Sequence, residues 1–200
     1  MSKNLLMIFT RNPTLGKVKT RLAKTIGNKA ALNIYKFLLE HTANSTKNID
    51  CDKTVYYSEK IKENDIWNHS VFNKKLQIGN DLGDRMLNAF VENLNYYNKI
   101  LIIGSDMYDI NEKHINKAFN KLNNHDIVIG PATDGGYYLL GLKSINKEIF
   151  KNKEWGTPTV LRNTLQDLKN VNVFLLEELN DIDVYDDIKN NEVFKPFLDN

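Results

Sequence analysis

Gly130-Pro131-Ala132-Thr133-Asp134-Gly135-Gly136-Tyr137-Tyr138-Leu139-Leu140-Gly141-Leu142 parts one apolar run, residues 126–130, from a second, residues 137–142. A glycine pair beside a carboxylate is tolerated in a loop and costly inside a strand. The stretch therefore predicts two buried strands meeting at a tight corner that carries an acid, a place suited to holding a ligand. Two further unusual segments support this reading. One is a basic loop near the N-terminus; the other is Gly104-Ser105-Asp106, which follows another apolar run.

Working outward, short apolar runs alternate with helical periodicity. Strands are predicted at 5–9, 54–57, 76–78, 99–103, 127–129, 138–142 and 171–175. Asn28 is placed to cap a helix to about Thr42, with Ala31, Ile34, Leu38 and Leu39 on one face. Asp81 opens a helix to about Tyr96, Asn111 opens another, and 158–168 is a fourth. Such alternation describes an α/β sandwich with a mainly parallel sheet. No internal repeat, low-complexity tract or Pro/Gly/Ser-rich linker divides the chain, so residues 1–200 read as a single domain.

Bulk properties narrow the function classes. Two hundred residues, 42% of them apolar, suffice for a sizeable core. The net charge of +2 points to neither nucleic acid nor an anionic membrane surface. Cys51 is the lone cysteine, which excludes an internal disulfide and a cysteine-based metal cage. His41, His69, His114 and His125 show no ligand spacing, which argues against a zinc hydrolase. Ser105 has no candidate histidine partner, and no Gly-x-Ser-x-Gly elbow exists. No run approaches the roughly 18 apolar residues of a membrane span, and the start of the chain lacks a signal-peptide core. The expectation is a cytoplasmic enzyme or binding protein; a homodimer is left open.

In open α/β sheets ligands bind beyond the carboxyl ends of the strands. Segments 10–21, 104–109 and 130–136 all follow predicted strands and should share one cleft. The first packs Arg11, Lys17, Lys19 and Arg21 around Pro13 and Gly16. Fixed amide donors plus mobile positive charge suit a di- or triphosphate. The spacing is not that of a Walker loop, and the competing reading is the solvated start of a basic helix. Asp106 beyond a central strand suits Mg²⁺ or Mn²⁺, hard ions that prefer oxygen and bridge to phosphates. Asp109 either joins it or caps the next helix. Asp181 and Asp183 flank Ile182, so an extended backbone puts both acids on one side, where either completes a metal site; the alternative is a solvated acidic turn. Gln77 carries an amide able to read a base edge, and Gly83 permits close approach. Arg85 is either a phosphate ligand or a helix salt-bridge partner.

Taken in order, these segments resemble the nucleotide-diphospho-sugar transferase superfamily, and within it the DUF2064 family of bacterial glycosyltransferase-like proteins. The family pattern R-x-P-x-x-G-x-x-K-T-R-L reads here at 11–22, Q-x-G-x-D-L-G-x-R-M at 77–86 and G-S-D-x-P-D at 104–109. G-P-x-x-D-G-G-Y-Y-L-x-G-L follows at 130–142, W-x-T at 155–157 and D-I-D at 181–183. Met107-Tyr108 stands where the family has Cys-Pro, a departure that bears on the acceptor more than on the nucleotide.

The resemblance implies a Rossmann-like α/β/α sandwich of GT-A type. Arg11, Gly16, Lys17, Lys19 and Arg21 would cradle the phosphates, with Gln77 and Gly83 near the base. Asp106 with Asp183 or Asp181 would hold the divalent ion. Asp134, Gly135 and Gly136 would line the acceptor side, closed by Trp155 and Thr157. Catalysis would fall to Asp106, Asp134 and Lys19. The first activity implied is metal-dependent transfer of a sugar from a nucleotide-diphospho-sugar to a small acceptor. The alternatives are nucleotidylyl transfer from an NTP to a phosphorylated small molecule, and a non-catalytic nucleotide-binding module.

Overall fold

The computed structural model describes residues 3–198. Its centre is a seven-stranded sheet. β1 (Asn4–Thr10) pairs in parallel with β2 (Asp52–Tyr57) on one side and with β4 (Lys99–Gly104) on the other. β3 (Asn73–Leu76) extends the β2 side in parallel. Beyond β4 come β6 (Tyr137–Leu142), β5 (Ile127–Pro131) and β7 (Val173–Leu175), giving the order β3-β2-β1-β4-β6-β5-β7.

β6 runs antiparallel to both neighbours. Its reversal follows from the five residues 132–136 that join it to β5: a hairpin closes over so short a span, whereas a parallel crossover needs a dozen or more. Gly135 makes the corner with φ +87, a conformation that side-chain-bearing residues rarely adopt. All the other strands point the same way, so the loops after β1, β2, β3, β4 and β5 gather at one edge of the sheet.

Alternation along the strands sorts their side chains to two faces. Leu6, Ile8, Val55, Leu101 and Ile103 pack under α1 (Thr20–Thr46) and α3 (Glu112–Lys121). Leu5, Met7, Ile100, Ile102 and Leu140 pack on the other face with α2 (Leu82–Asn93) and residues near α4 (Val160–Asp167). A smaller cluster lies outside this sandwich, where Ile182, Ile188 and Phe194 of the C-terminal segment dock on Leu22, Ile34 and Leu38 of α1. That cluster brings the second acidic segment to the sheet edge.

Three expected boundaries shift. The third strand lies at 73–76, not 76–78, and Ile78 is 71% exposed. Strand pairing with β2 ends at Tyr57–Leu76, and Gln77 then caps the end of β2, its backbone amide donating to Tyr57 O at 2.9 Å. On this edge strand Lys75 pairs with Glu92, while the Lys74 side chain is buried against Asp65, so the local apolar pattern does not mark the strand. α1 begins at Thr20 and carries through Asn28, kinked where Gly27 adopts φ 83 and ψ 157. α2 ends at Asn93 rather than near Tyr96.

Phe194 is fully buried, edge-on to both Tyr108 and Phe37. Truncation to alanine is expected to lower the unfolding free energy by about 3–5 kcal/mol, the usual cost of an aromatic cavity. Urea denaturation of Phe194→Ala measures it.

Candidate functional site

A cavity of about 630 Å³ opens at the loop edge of the sheet. Arg11, Lys19 and Arg21 enter it from the loop after β1, Asp106 from the loop after β4, and Asp134 from the β5–β6 hairpin. Asp181 and Asp183 come from the C-terminal segment, Gln77 and Arg85 from the β3–α2 region. A smaller cavity of about 180 Å³ adjoins it, sharing Asp106, Asp134 and Asp181. Its walls include Met107, Ala132, Tyr137, Tyr138, Trp155 and Val160.

The two principal loops are tied by a buried hydroxyl network. Ser105 donates to Thr10 Oγ1 at 3.1 Å, and Tyr35 Oη lies 3.3 Å from the same atom. The Arg11 amide donates to Tyr35 Oη at 2.9 Å. Tyr35, Thr10 and Ser105 are each 3% exposed. The sequence marks Ser105 only as part of the segment at 104–106, and Tyr35 and Thr10 not as partners for it. A tyrosine hydroxyl on an otherwise apolar helix face was the one signal available, since a buried hydroxyl requires a partner.

Lys19 carries the tightest contact. Its backbone is left-handed (φ 48, ψ 44), its side chain is 4% exposed, and Nζ donates to Asp106 Oδ2 at 2.8 Å. Burial pulls the ammonium down, but Asp106, with Asp183 and Asp181 beyond it, outweighs burial and holds Lys19 above the ordinary lysine value. Desolvation at the cleft floor pushes Asp106 up; Lys19, its hydrogen bond and Arg11 more than offset this and keep it below the ordinary carboxylate value. Arg21 pairs with Asp183 at 2.9 Å.

Asp181 and Asp183 are set by Asp187. Oδ2 of Asp187 accepts from the Asp183 and Val184 amides at 2.8 and 2.7 Å, while Ile182 is buried against α1. Both acids thus face the cleft, as alternation predicts. Among the described residues no three of His, Cys, Asp or Glu converge as a ready metal site. The oxygen-only donors around Asp106 nevertheless suit a hard cation, although Lys19 and Arg21 already pair with two of them. Burial and then Asp134, with Asp106 and Asp183, push Asp181 up to about 6, against a partial offset from Lys19.

Other expected positions fall elsewhere. Lys17 turns outward to Glu59 at 3.6 Å, and Gly16 does not line either cavity. Gln77 lines the cleft, yet its amide nitrogen donates to Thr10 O and Tyr56 O at 3.1 and 2.8 Å, clamping two strand ends. Gly83 is close to protein rather than to the cleft: a Cβ there would overlap the Phe150 carbonyl and the Trp155 ring. Gly135 likewise accommodates Pro158 and lies on a separate groove along α4. Gly136 and Thr157 do line the smaller cavity with Trp155. Asp109 is exposed next to the α3 cap, Asn111, and lines neither cavity.

The Met107-Tyr108 departure has a structural counterpart. Met107 is buried and lines the smaller cavity. Tyr108 lies tilted against His41 at 4.8 Å, stacks on Phe37 at 6.0 Å and meets Phe194 edge-on at 5.3 Å. Tyr108 thus sits in an aromatic cluster beside the loop that carries Asp106.

Asp181 gives the cleft a pH signature. The unfolded carboxyl loses its proton near 3.8, the folded one near 6. Between these values the folded state holds the extra proton, so this group's contribution to stability falls as pH rises and is fully lost above 6. Asp181→Asn should therefore raise the melting temperature at pH 7.5 by about 2–4 °C, which allows for solvent screening of a partly open site. At pH 4 the variant should melt with the parent. Thermal unfolding at both pH values checks it.

The chain is similar over nearly its whole length to solved structures. A candidate nucleotide-diphospho-sugar transferase from Desulfovibrio desulfuricans G20 superposes with a TM-score of 0.86 at 28% identity, covering 98% of this chain and 91% of that one. The 4-diphosphocytidyl-2C-methyl-D-erythritol synthase of Anaerococcus prevotii DSM 20548 gives 0.61 at 11% identity, with 100% and 97% covered. The manganese complex of Rv0371C from Mycobacterium tuberculosis H37Rv gives 0.55 at 10%, with 100% and 99% covered. The last two show a shared fold. No curated protein matches in sequence. Residues 42–157 match the family model described as "Uncharacterized protein conserved in bacteria (DUF2064)". Its span holds three complete motifs, 77–86, 104–109 and 130–142, and ends with Trp155 to Thr157; the chain belongs to the DUF2064 family, built on the fold of the nucleotide-diphospho-sugar transferases.

Proposed function

We propose that this protein is a transferase that moves a sugar from a nucleotide-diphospho-sugar to a small, unphosphorylated acceptor bearing a hydroxyl. The observation that carries the reading is where the bases lie, since carboxylates line both cavities and basic side chains only the larger. Arg11, Lys19, Arg21 and Arg85 all line the larger one. The smaller has Asp106, Asp134 and Asp181 at its rim, and none of the described residues lining it is Lys, Arg or His. A diphosphate is matched by the first. A phosphorylated acceptor, as nucleotidylyl transfer requires, would meet carboxylates in the second.

In this reading the acceptor oxygen bonds to the anomeric carbon as the bond from that carbon to the phosphate oxygen breaks. The hydroxyl proton passes to the Asp134 carboxylate, which reaches both cavities and is braced by the Gly136 amide at 2.8 Å. Attack from the side opposite the leaving group inverts the anomeric centre. Lys19, Arg21 and Arg11 receive the charge that develops on the departing diphosphate. Mg²⁺ or Mn²⁺ on Asp106 with Asp183 or Asp181 would supply further positive charge at that oxygen.

A thermal-shift screen with Mn²⁺ or Mg²⁺, and again with EDTA, tests the donor. A nucleotide sugar should raise the melting temperature in a metal-dependent way. Stabilisation by an NTP alone would favour the nucleotidylyl reading. Once a donor is identified, Asp134→Asn should bind it normally and slow transfer by about 10²–10⁴-fold, the usual contribution of a general base.

A further inference from the structure

Two acids expected to hold the divalent ion are already engaged by bases expected to hold phosphate. Lys19 Nζ sits on Asp106 Oδ2 at 2.8 Å, and Arg21 Nη1 on Asp183 Oδ2 at 2.9 Å. The first pair is no loose surface contact. The Lys19 side chain is 4% exposed, is delivered by a left-handed backbone at the residue that precedes α1, and feels the charges of Asp181 and Asp183 as well as Asp106. A divalent ion drawn to the same carboxylates would meet a fixed ammonium among them.

We infer that Lys19 is the resident counter-ion of this acidic cluster, and that it couples metal binding to diphosphate binding. Charge balance gives the reason. Asp81, Asp106, Asp134, Asp181 and Asp183 face Arg11, Lys19, Arg21 and Arg85 across one cavity, within one charge of balance; Asp81 also caps α2 through the Asp84 amide. A metal ion alone overcharges this set with positive charge, and a diphosphate alone overcharges it with negative charge. The two together preserve the balance: phosphate oxygens take over Lys19 and Arg21, and the released Asp106 and Asp183 oxygens turn to the ion. Each ligand then tightens the other by the same factor. The inference rests on the larger cavity being a diphosphate site, but not on which sugar, base or acceptor is used.

The test is a titration with Mn²⁺ alone, followed by electron paramagnetic resonance of the free ion, on wild type, Lys19→Met, Lys19→Arg and Asp106→Asn. Lys19→Met should bind Mn²⁺ about tenfold more tightly than wild type or better, within the usual range of coupling between two ligands. Lys19→Arg, which keeps the charge, should stay as weak as wild type, and Asp106→Asn should bind least. Equal or weaker Mn²⁺ binding by a folded Lys19→Met overturns the inference. A second measurement needs no variant: calorimetry of inorganic pyrophosphate binding to wild type, in Mn²⁺ and in EDTA. Binding about tenfold tighter in Mn²⁺ supports the coupling, and equal binding overturns it. Absence of pyrophosphate binding in both conditions would overturn the diphosphate reading and the coupling with it; Mn²⁺ titration would still report whether Lys19 competes with the ion.

Discussion

The Lys19–Asp106 ion pair is the contact through which the cleft is organised, because its two ends lie on loops leaving adjacent parallel strands. β1 and β4 are paired in register along their length, from Asn4–Lys99 to Phe9–Gly104. Their loops therefore emerge side by side, one carrying bases and the other an acid. The Lys19 side chain is buried while that of Asp106 stays 40% exposed to the cleft. Removing Asp106 therefore leaves a buried ammonium without its partner, the costly direction in which to break the pair. The hydroxyl network of Thr10, Tyr35 and Ser105 lies beside the pair and holds both loops to α1. The left-handed backbone at Lys19 belongs to the same arrangement, a locally unfavourable conformation sustained at a site where direction matters.

Around that pair the fold assembles acids from positions far apart in sequence. Asp134 arrives on a hairpin, and Asp181 and Asp183 arrive on a segment that belongs to no strand or long helix. The C-terminal segment is placed by Ile182 and Phe194 packing on the far side of α1. Tyr108 touches Phe194, two residues from Asp106. Packing in the small third cluster thus reaches the loop that carries the cleft's central carboxylate.

Several glycines and polar residues illustrate how one sequence signal serves two physical ends. The sequence reads Gly83 as allowing close approach near the base and Gly135 as lining the acceptor side, and each does admit a close neighbour. The neighbour is protein: Phe150 and Trp155 against Gly83, Pro158 against Gly135. Gln77 offers an amide, and its nitrogen is committed to the carbonyls of Thr10 and Tyr56. A missing Cβ or a polar side chain declares that something must come near. It does not say whether that is solvent, ligand or chain.

The sequence alone determined the alternation of strands and helices, the mainly parallel sheet, and the meeting of the loops after β1, β4 and β5 at one edge. Those features follow from local periodicity and from chain direction, both written in consecutive residues. For Asp181 and Asp183 the sequence left two readings, one-sided alternation or a solvated acidic turn, and the Asp187 cap with Ile182 packed on α1 placed both at the cleft. Only the tertiary structure decided that Lys19 is buried on Asp106 while Lys17, two residues earlier, turns outward to Glu59. Only there do burial and then the neighbouring carboxylates of Asp134, Asp106 and Asp183 push Asp181 up to about 6. Charge strength in a cleft depends on distances across the fold and on exclusion of water. Neither quantity exists along a chain until it is folded.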